Sequence, residues 1–350
     1  MTCLRSARPM LAIPCVLVAA ITAVAQDDEH RMTVRDRIAA EAEAVAPLVT
    51  TDLARAFLKT AIELPPVDDR VILYRRSDRA ALTLQDAEGR SEDELVDYEE
   101  RTLTEAHYYN LFSTPIAWAR PLDVLASRGF ESADGARILD FGFGNVAQLR
   151  MLASLGADVV GVEIVGIQSA LYSLPEDQGE VRRAVAAGEG DPGSLTLAFG
   201  QWPAEERMLE DVGDAFDLIM TKNVLKYGYI HPEREADPAT LIHLGVDDAN
   251  FLQRAYDALN PGGYFFIYNL YPPKALEGEP YRPWAYGENP FDRDVVETAG
   301  FNVIEWNTPD SPAIHALGRA LGWDAQDPAN FEINFSAMYT ILRKPPNGTP

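Results

Sequence analysis

The sequence predicts an α/β fold in which a doubly wound, mostly parallel sheet follows an added, mainly helical N-terminal region. Residues 136–164 read as strand, glycine turn, helix, strand and acid, which is the order of a βαβ unit. Apolar strand-like runs then alternate with helical segments as far as about residue 344. Hydrophobic residues make up 47% of the 350 residues, which is enough for a packed core.

The first βαβ unit has the features of a nucleotide-binding site. Its first strand ends at Asp140, and Gly142 and Gly144 form a turn that lets backbone approach a ligand closely. A helix and a second strand follow, and this strand ends at Glu163, where a carboxylate can accept ribose hydroxyls. Ala147 replaces the third glycine of the dinucleotide pattern, which leaves a dinucleotide site open. Asp140, however, would repel a pyrophosphate and suits a cationic ligand better.

Three ordered motifs resemble a known family. Asp140-Phe-Gly142-Phe-Gly144 resembles the D-x-G-x-G signature of class I S-adenosylmethionine-dependent methyltransferases. The runs from Phe216 to Leu225 and from Phe251 to Ile267 resemble that family's fourth-strand motif and its helix, PGG turn and fifth strand. The resemblance covers roughly residues 121–344. It implies a seven-stranded sheet with an antiparallel final hairpin, S-adenosyl-L-methionine as cofactor, and methyl transfer to a small molecule or a protein side chain.

The resemblance also assigns cofactor-binding positions. They are Asp140, Gly142, Gly144, Glu163 for the ribose, Gln201 and Trp202 after the third strand, and Thr221 at the end of the fourth strand. Trp202 is expected either to stack on the adenine or to lie on the domain surface, and Gln201 to bind the adenine edge.

The catalytic candidates follow the fourth strand and are Asn223, Tyr227 and His231. Tyr227, or a desolvated Lys226, would need a large downward pKa shift to act as a base. His231 is the residue type that best suits proton transfer near neutral pH, but it is also interpreted as a plain loop residue before a proline. No spacing of Asp, Glu, His or Cys matches a metal site, so no metal is predicted.

The first 25 residues read as a signal peptide. Arg5 and Arg8 precede an apolar stretch, and Ala23-Val24-Ala25 is a cleavage pattern. The chain is therefore expected to be exported, either secreted or periplasmic, without stable membrane insertion after cleavage; an uncleaved anchor is the alternative. Both cysteines, Cys3 and Cys15, lie in this leader. Residues 346–350 are expected to form a flexible tail after a methyltransferase-like domain at residues 121–345.

Residues 26–120 are expected to add helices and short strands to the core. Residues 36–57 predict helices broken near Pro47 and Thr50, and residues 71–74 and 81–84 predict strands. Ser91 to Glu94 is a capping-box pattern that predicts a helix extending through His107. Tyr108 and Tyr109 are expected to pack the region on the core or to cover the methionine end of the cofactor.

Composition and loop lengths restrict the substrate. The formal net charge of −24 repels phosphate backbones, so no nucleic-acid partner is expected. Two long connections, residues 229–248 and the aromatic-rich 271–291, predict a lid over a small, partly apolar or cationic acceptor. A non-catalytic binding protein, an aminopropyl transferase and a nicotinamide-dependent oxidoreductase stay open as alternatives on this fold.

Overall fold

The computed structural model describes residues 32–347. The predicted signal peptide therefore lies outside the described residues, as does the end of the predicted tail. The described chain contains eleven strands, β1–β11 in chain order: Arg70–Arg75, Ala81–Thr83, Tyr98–Leu103, Arg137–Phe141, Asp158–Glu163, Gly179–Val181, Gly193–Phe199, Phe216–Lys222, Leu259–Tyr271, Asn302–Pro309 and Ser336–Arg343. Its fourteen α-helices, α1–α14, are Val34–Val45, Asp52–Lys59, Leu84–Ala87, Glu92–Leu95, Glu105–Asn110, Ala119–Ala126, Ala147–Ala153, Ile167–Leu171, Glu206–Val212, Tyr227–Ile230, Asp248–Ala258, Arg293–Thr298, Ser311–Ala320 and Phe331–Asn334.

The main sheet has the order β10-β11-β9-β8-β4-β5-β7-β6. Strands β7, β5, β4, β8 and β9 are mutually parallel, and β11 pairs antiparallel with both β9 and β10. This confirms the doubly wound, mostly parallel sheet with an antiparallel end. The short edge strand β6, which the sequence did not indicate, raises the strand number from seven to eight.

The strand order reverses between β4 and β8. From β4 the chain builds β5 and β7 on one side, and it then returns to build β8 and β9 on the other. Ligands of open α/β sheets bind at the carboxyl ends of strands beside such a switch point. The glycine turn after β4 and the residues after β8 therefore lie at the expected ligand position.

Two groups of buried apolar side chains cover the two faces of the sheet. Alternating residues such as Ile138 and Leu218 join a core that includes α1, α2 and α7. Their neighbours Leu139 and Ile219 join a second core with α9, α11 and α12. Because the first core contains side chains from both the added region and the sheet, the two are packed as one body.

The added N-terminal region begins with the two predicted helices. Thr33 forms a capping box at the start of α1, and Thr51 caps α2 through the backbone N–H of Ala54. Between them the chain breaks at a short 3₁₀ turn that includes Pro47. The predicted helix break is therefore confirmed.

The region is less helical than predicted. The helix expected from Ser91 through His107 is wrong: α4 ends at Leu95, and the chain then forms β3 before α5 begins at Glu105. Strand β3 pairs with β1 over six residues and completes a three-stranded antiparallel sheet with β2. The capping box starts a helix here, but strand pairing with a distant segment ends it, since tertiary contacts override local propensity.

A buried ion pair joins this region to the main sheet domain. Arg70 of β1 donates two hydrogen bonds to Asp177, at 2.6 and 2.8 Å, and the carboxylate also accepts from the Tyr108 hydroxyl at 2.8 Å. Asp177 lies between α8 and β6, so the pair connects the added region to the chain that follows the second strand of the nucleotide-binding unit. Within residues 32–347, no helix has the length and apolar character needed to cross a membrane.

Candidate functional site

The turn after β4 requires its glycines. Gly142 and Gly144 have φ angles of +73° and +64°, in the left-handed region that side chains rarely adopt. A Cβ atom on Gly142 would lie 2.5 Å from a methyl group of Val224, and one on Gly144 would lie 3.2 Å from the ring of Phe112. The turn is therefore a narrow backbone cradle that faces the residues after β8 and the segment after α5.

Glu163 ends β5 directly beside this turn. Its Oε2 accepts a hydrogen bond from the backbone N–H of Gly144 at 3.2 Å, and its Oε1 accepts from the N–H of Ile164 at 3.0 Å. Burial raises the pKa of this carboxyl group. A carboxylate offers about four lone-pair positions, so two remain for hydroxyl donors of a ligand.

Asp140 lies beneath the turn and is fully buried. Its Oδ2 accepts from the Gln148 side-chain amide at 3.2 Å, and that amide also donates to the carbonyl of Phe143 at 2.6 Å. Its Oδ1 has no hydrogen-bond partner, and burial raises the pKa of Asp140 to about 7. The residue thus supports the turn from below and offers an unsatisfied acceptor to a cationic ligand.

Lys222, the last residue of β8, lies on the same face of the sheet as Asp140. Its Nζ is 5.7 Å from the centre of the Trp118 ring, and burial lowers its pKa to about 8, opposed by the charge of Asp140. The preceding Thr221 points to the opposite face, where its hydroxyl is buried without a partner. Lys222 was not among the predicted site residues, although a lysine at the end of a buried strand was the signal that could have found it.

The residues after β7 differ from the prediction. Trp202 is only 2% exposed and packs against Phe141 and Phe251, with ring centroids 5.9 Å apart in both cases. Neither of its expected positions is seen, because apolar burial of the indole leaves it neither an open face for an adenine nor a place on the surface. Gln201 donates from its side-chain amide to the carbonyl of His243 at 2.7 Å, so this amide joins two loops.

The three catalytic candidates do not converge. Asn223 has a φ of +67°, and its Oδ1 accepts from the N–H of Leu270 at 2.7 Å, which fixes the end of β8 to β9. His231 lies at the far end of α10, where its Nε2 is 2.9 Å from Asp248 and its ring is 5.8 Å from that of Tyr227. Asn223 is therefore at the strand end, whereas His231 belongs to a half-exposed pair at the outer side of the loop.

Lys226 is an almost completely enclosed lysine after β8. The residue is 2% exposed, and Nζ donates to the carbonyls of Leu270 and Trp284. Burial and, to a smaller extent, the positive charge of Lys222 lower its pKa to about 7. The large downward pKa shift that the sequence argument required of a basic group is thus present at Lys226.

Residues 272–292, which we call the cover segment, fold over α10. The backbone N–H of Tyr227 donates to the carbonyl of Glu288 at 2.8 Å. Lys274 binds the same Glu288 at 2.7 Å, and its Nζ is 4.2 Å from the centre of the Tyr286 ring. The hydrogen bonds from Lys226 to Trp284, and from Asn269 to Gly287 at 2.9 Å, hold the segment from below.

The aromatic residues before the first strand of the main sheet divide into two roles. Tyr108 and Tyr109 are at most 1% exposed and pack the added region on the core, which confirms the packing interpretation. Phe112, by contrast, is 51% exposed and lies against Gly144. Its backbone N–H donates to Oδ1 of Asn145 at 3.1 Å, which ties its segment to the turn. The sequence contains no signal for this placement. Among the described residues, no group of three or more Asp, Glu, His or Cys side chains is placed to hold a metal ion.

The known proteins to which this chain is similar include methyltransferases. No protein-family model matches the chain. The chain is 27% identical over 144 residues to the ubiquinone biosynthesis O-methyltransferase of Azorhizobium caulinodans, a match that covers 41% of this chain and less than half, 44%, of that relative.

Similar solved structures include phosphoethanolamine N-methyltransferase 2 of Haemonchus contortus in complex with S-adenosyl-L-methionine, at 14% identity and a TM-score of 0.39, covering 79% of this chain and 68% of that one. Another is an S-adenosylmethionine-dependent methyltransferase of Mesorhizobium loti, at 18% identity and a TM-score of 0.35, covering 65% and 97% of the two chains.

The strand order and the glycine turn are those of the fold that the motifs predicted. The chain has the class I S-adenosylmethionine-dependent methyltransferase fold, as the motifs predicted. Within that class, the curated relative that it matches in sequence is an O-methyltransferase.

Proposed function

We propose that the protein transfers a methyl group from S-adenosyl-L-methionine to a small-molecule acceptor at the carboxyl ends of β4, β5 and β8. The observation that carries this proposal is the position of Glu163, whose carboxylate lies on the glycine turn with two acceptor positions left for ribose hydroxyls. The similarity to an O-methyltransferase supports the reaction type.

The residues present fit such a cofactor. The left-handed glycines leave room where any side chain would meet Val224 or Phe112. The partnerless Oδ1 of Asp140 supplies negative charge that suits a cationic ligand and would repel a pyrophosphate. When bound, S-adenosyl-L-methionine supplies a methyl group on a positively charged sulfur that an acceptor atom can attack.

The chain's own contribution is alignment and exclusion of water. Methyl transfer needs an in-line approach of the acceptor atom, so positioning accounts for much of the rate. Asn223 orients the end of β8 through its hydrogen bond with Leu270 of β9. The cover segment encloses this strand end, because Lys226 donates both to Leu270 and to Trp284 of the cover segment. Lys226 supports this cover from beneath, and Tyr227 lies next to it in the chain.

Ligand binding by calorimetry tests the proposal. We expect wild-type protein to bind S-adenosylhomocysteine and not NAD. Glu163→Ala should weaken binding by about 1.5–3 kcal/mol per hydrogen bond lost, because the carboxylate is a charged acceptor. Gly144→Val should abolish it, because valine is strained at this φ and meets Phe112.

The matched control is Glu180→Ala, which removes an exposed carboxylate from the edge strand β6 and should leave affinity unchanged. Binding of NAD in place of S-adenosylhomocysteine would favour an oxidoreductase. Unchanged affinity in both site variants would refute the placement.

We propose further that the protein is exported after cleavage following Ala25. The supporting pattern is the basic, apolar and small-residue order of the leader. N-terminal sequencing of protein recovered outside the cytosol should begin at Gln26; recovery of cytosolic protein that begins at Met1 would contradict it.

A further inference from the structure

Two lysines at the end of β8 form no ion pair. Lys226 donates to the carbonyls of Leu270 and Trp284, and its Nζ is 5.5 Å from the centre of the Tyr229 ring. Lys222 has no hydrogen-bond partner among the described residues; it faces the ring of Trp118, and the charge of Asp140 opposes the lowering of its pKa by burial. Neither ammonium group has a carboxylate within ion-pair distance in residues 32–347, although the chain contains 54 acidic residues against 30 lysines and arginines.

Their surroundings differ from those of other cations near the site. Lys274 on the cover segment is paired with Glu288, and Arg120 is paired with both Asp123 and Asp310. Desolvated charges without a partner are costly: such a group shifts its pKa toward the neutral form unless a ligand supplies the opposite charge, and groups of this kind are candidates for functional sites. Lys222 and Lys226 therefore indicate that something anionic binds beside the end of β8.

Charge balance favours the acceptor as the ligand that carries that anion, because the methyl donor has one carboxylate but is cationic overall. On the proposed function the methyl donor is itself cationic at the sulfur, and Asp140 and Glu163 lie on the donor's strands, β4 and β5. A cationic acceptor would add another positive charge beside two lysines, whereas an anionic acceptor would offset them.

We propose that Lys222 binds an anionic oxygen of the acceptor and that Lys226 reinforces this preference from beneath the cover segment, so the acceptor is a small carboxylate or an acidic hydroxyl compound. This inference rests on the proposed function. It reverses the expectation of a cationic acceptor, which was drawn from surface charge. Lys222 is half-buried at the end of β8. Lys226 is a positioning residue, because it is almost fully buried and acts through its charge and through Trp284.

Three acceptor analogues of similar shape, one anionic, one neutral and one cationic, test which charge the acceptor site prefers. Phenylacetate, phenylacetamide and 2-phenylethylamine are titrated by calorimetry into full-length protein saturated with S-adenosylhomocysteine. We expect phenylacetate to bind more tightly than the amide, and the amide more tightly than the amine. Equal binding of the three, preference for the amine, or no phenylacetate binding at millimolar concentration would overturn the proposal.

Lysine variants then assign the preference to these residues. Lys222→Met should reduce the ratio of phenylacetate to phenylacetamide affinity about 10- to 100-fold, the value of one charge-assisted hydrogen bond. Lys222→Arg should restore most of it, and Lys226→Met should cause a smaller loss. Lys59→Met removes an exposed lysine of α2 and serves as the control for net charge.

The affinity for S-adenosylhomocysteine separates the two proposals. If wild-type protein does not bind it, the proposed function fails. If wild-type protein binds it but Lys222→Met loses that affinity, Lys222 belongs to the donor site and only the acceptor proposal fails. A variant counts in either comparison only when its circular dichroism spectrum and melting temperature match those of the wild type. If Lys222→Met is misfolded, Lys222→Gln takes its place.

Discussion

The buried ion pair between Arg70 and Asp177 should be among the strongest links between the added region and the methyltransferase-like sheet. The Asp177 carboxylate is fully buried and accepts from both terminal nitrogens of Arg70, from the Tyr108 hydroxyl and from the N–H of Leu174. Burial alone would lower the pKa of Arg70, but the hydrogen bonds and charge of Asp177 outweigh it and raise the pKa. Arg70 therefore keeps its charge across the physiological range.

Arg70→Met removes the cation and leaves the buried carboxylate without its counter-charge. Breaking a buried pair in this way costs roughly 3–5 kcal/mol, because the remaining charge stays desolvated. We expect a loss of this size in the free energy of unfolding, measured by urea titration with circular dichroism. The double variant Arg70→Met with Asp177→Leu should recover part of the loss, since neither charge then remains buried.

Arg55→Met is the matched control, because Arg55 pairs with Asp52 on the exposed side of α2. Such surface pairs contribute about 0–1 kcal/mol. If Arg70→Met costs no more than Arg55→Met, or if the double variant is less stable than the single one, the ion pair does not hold the two parts together as argued.

Three further predictions concern the site itself. Burial raises the pKa of Asp140 to about 7, so the affinity for S-adenosylhomocysteine should rise from pH 6 to pH 8 as the carboxyl group ionises and attracts the ligand's ammonium group. Asp140→Asn should abolish this pH dependence. If the pH dependence persists in the variant, another group causes it. Phe112→Ala should weaken cofactor binding, measured by calorimetry, with little loss of stability. Tyr109→Ala should destabilise the fold by about 3–5 kcal/mol in a denaturant titration, because Tyr109 is fully buried. A large loss of stability in Phe112→Ala, or a small one in Tyr109→Ala, would contradict this prediction. Trp284→Ala should lower turnover and leave S-adenosylhomocysteine affinity nearly unchanged, since Trp284 lies on the cover segment and not at the glycine turn; an equal loss of both would contradict this division.

Local pattern predicted the main sheet well because each of its strands except β6 carries its own signal. Apolar runs that end at Asp140 and Glu163, with a glycine turn between them, specify strand, turn and strand without reference to the rest of the chain. The same holds for the break between α1 and α2, where Pro47 and the Thr51 cap act within a few residues. The failure at residues 91–107 has the opposite cause: β3 depends on pairing with β1, more than twenty residues away in sequence.

The sequence predicted the site only in part, because some of its contacts depend on segments that are distant in the chain. Gly142, Gly144 and Glu163 are recognisable because one short unit brings them together, and the structure places them in contact. In the sequence, Trp202 is an aromatic residue near a strand end, whether it stacks on an adenine or lies on the surface. Only its packing against Phe141 and Phe251 in the structure shows that its ring is covered.

The sequence by itself determined the order of the βαβ units, the glycine turn with its acid, and an acidic composition. The tertiary structure decided which polar groups lose their water: Asp140 without a hydrogen-bond partner for Oδ1, and Lys222 and Lys226 without an ion pair. Charge is a property of composition, whereas desolvation depends on which distant segments close over a side chain.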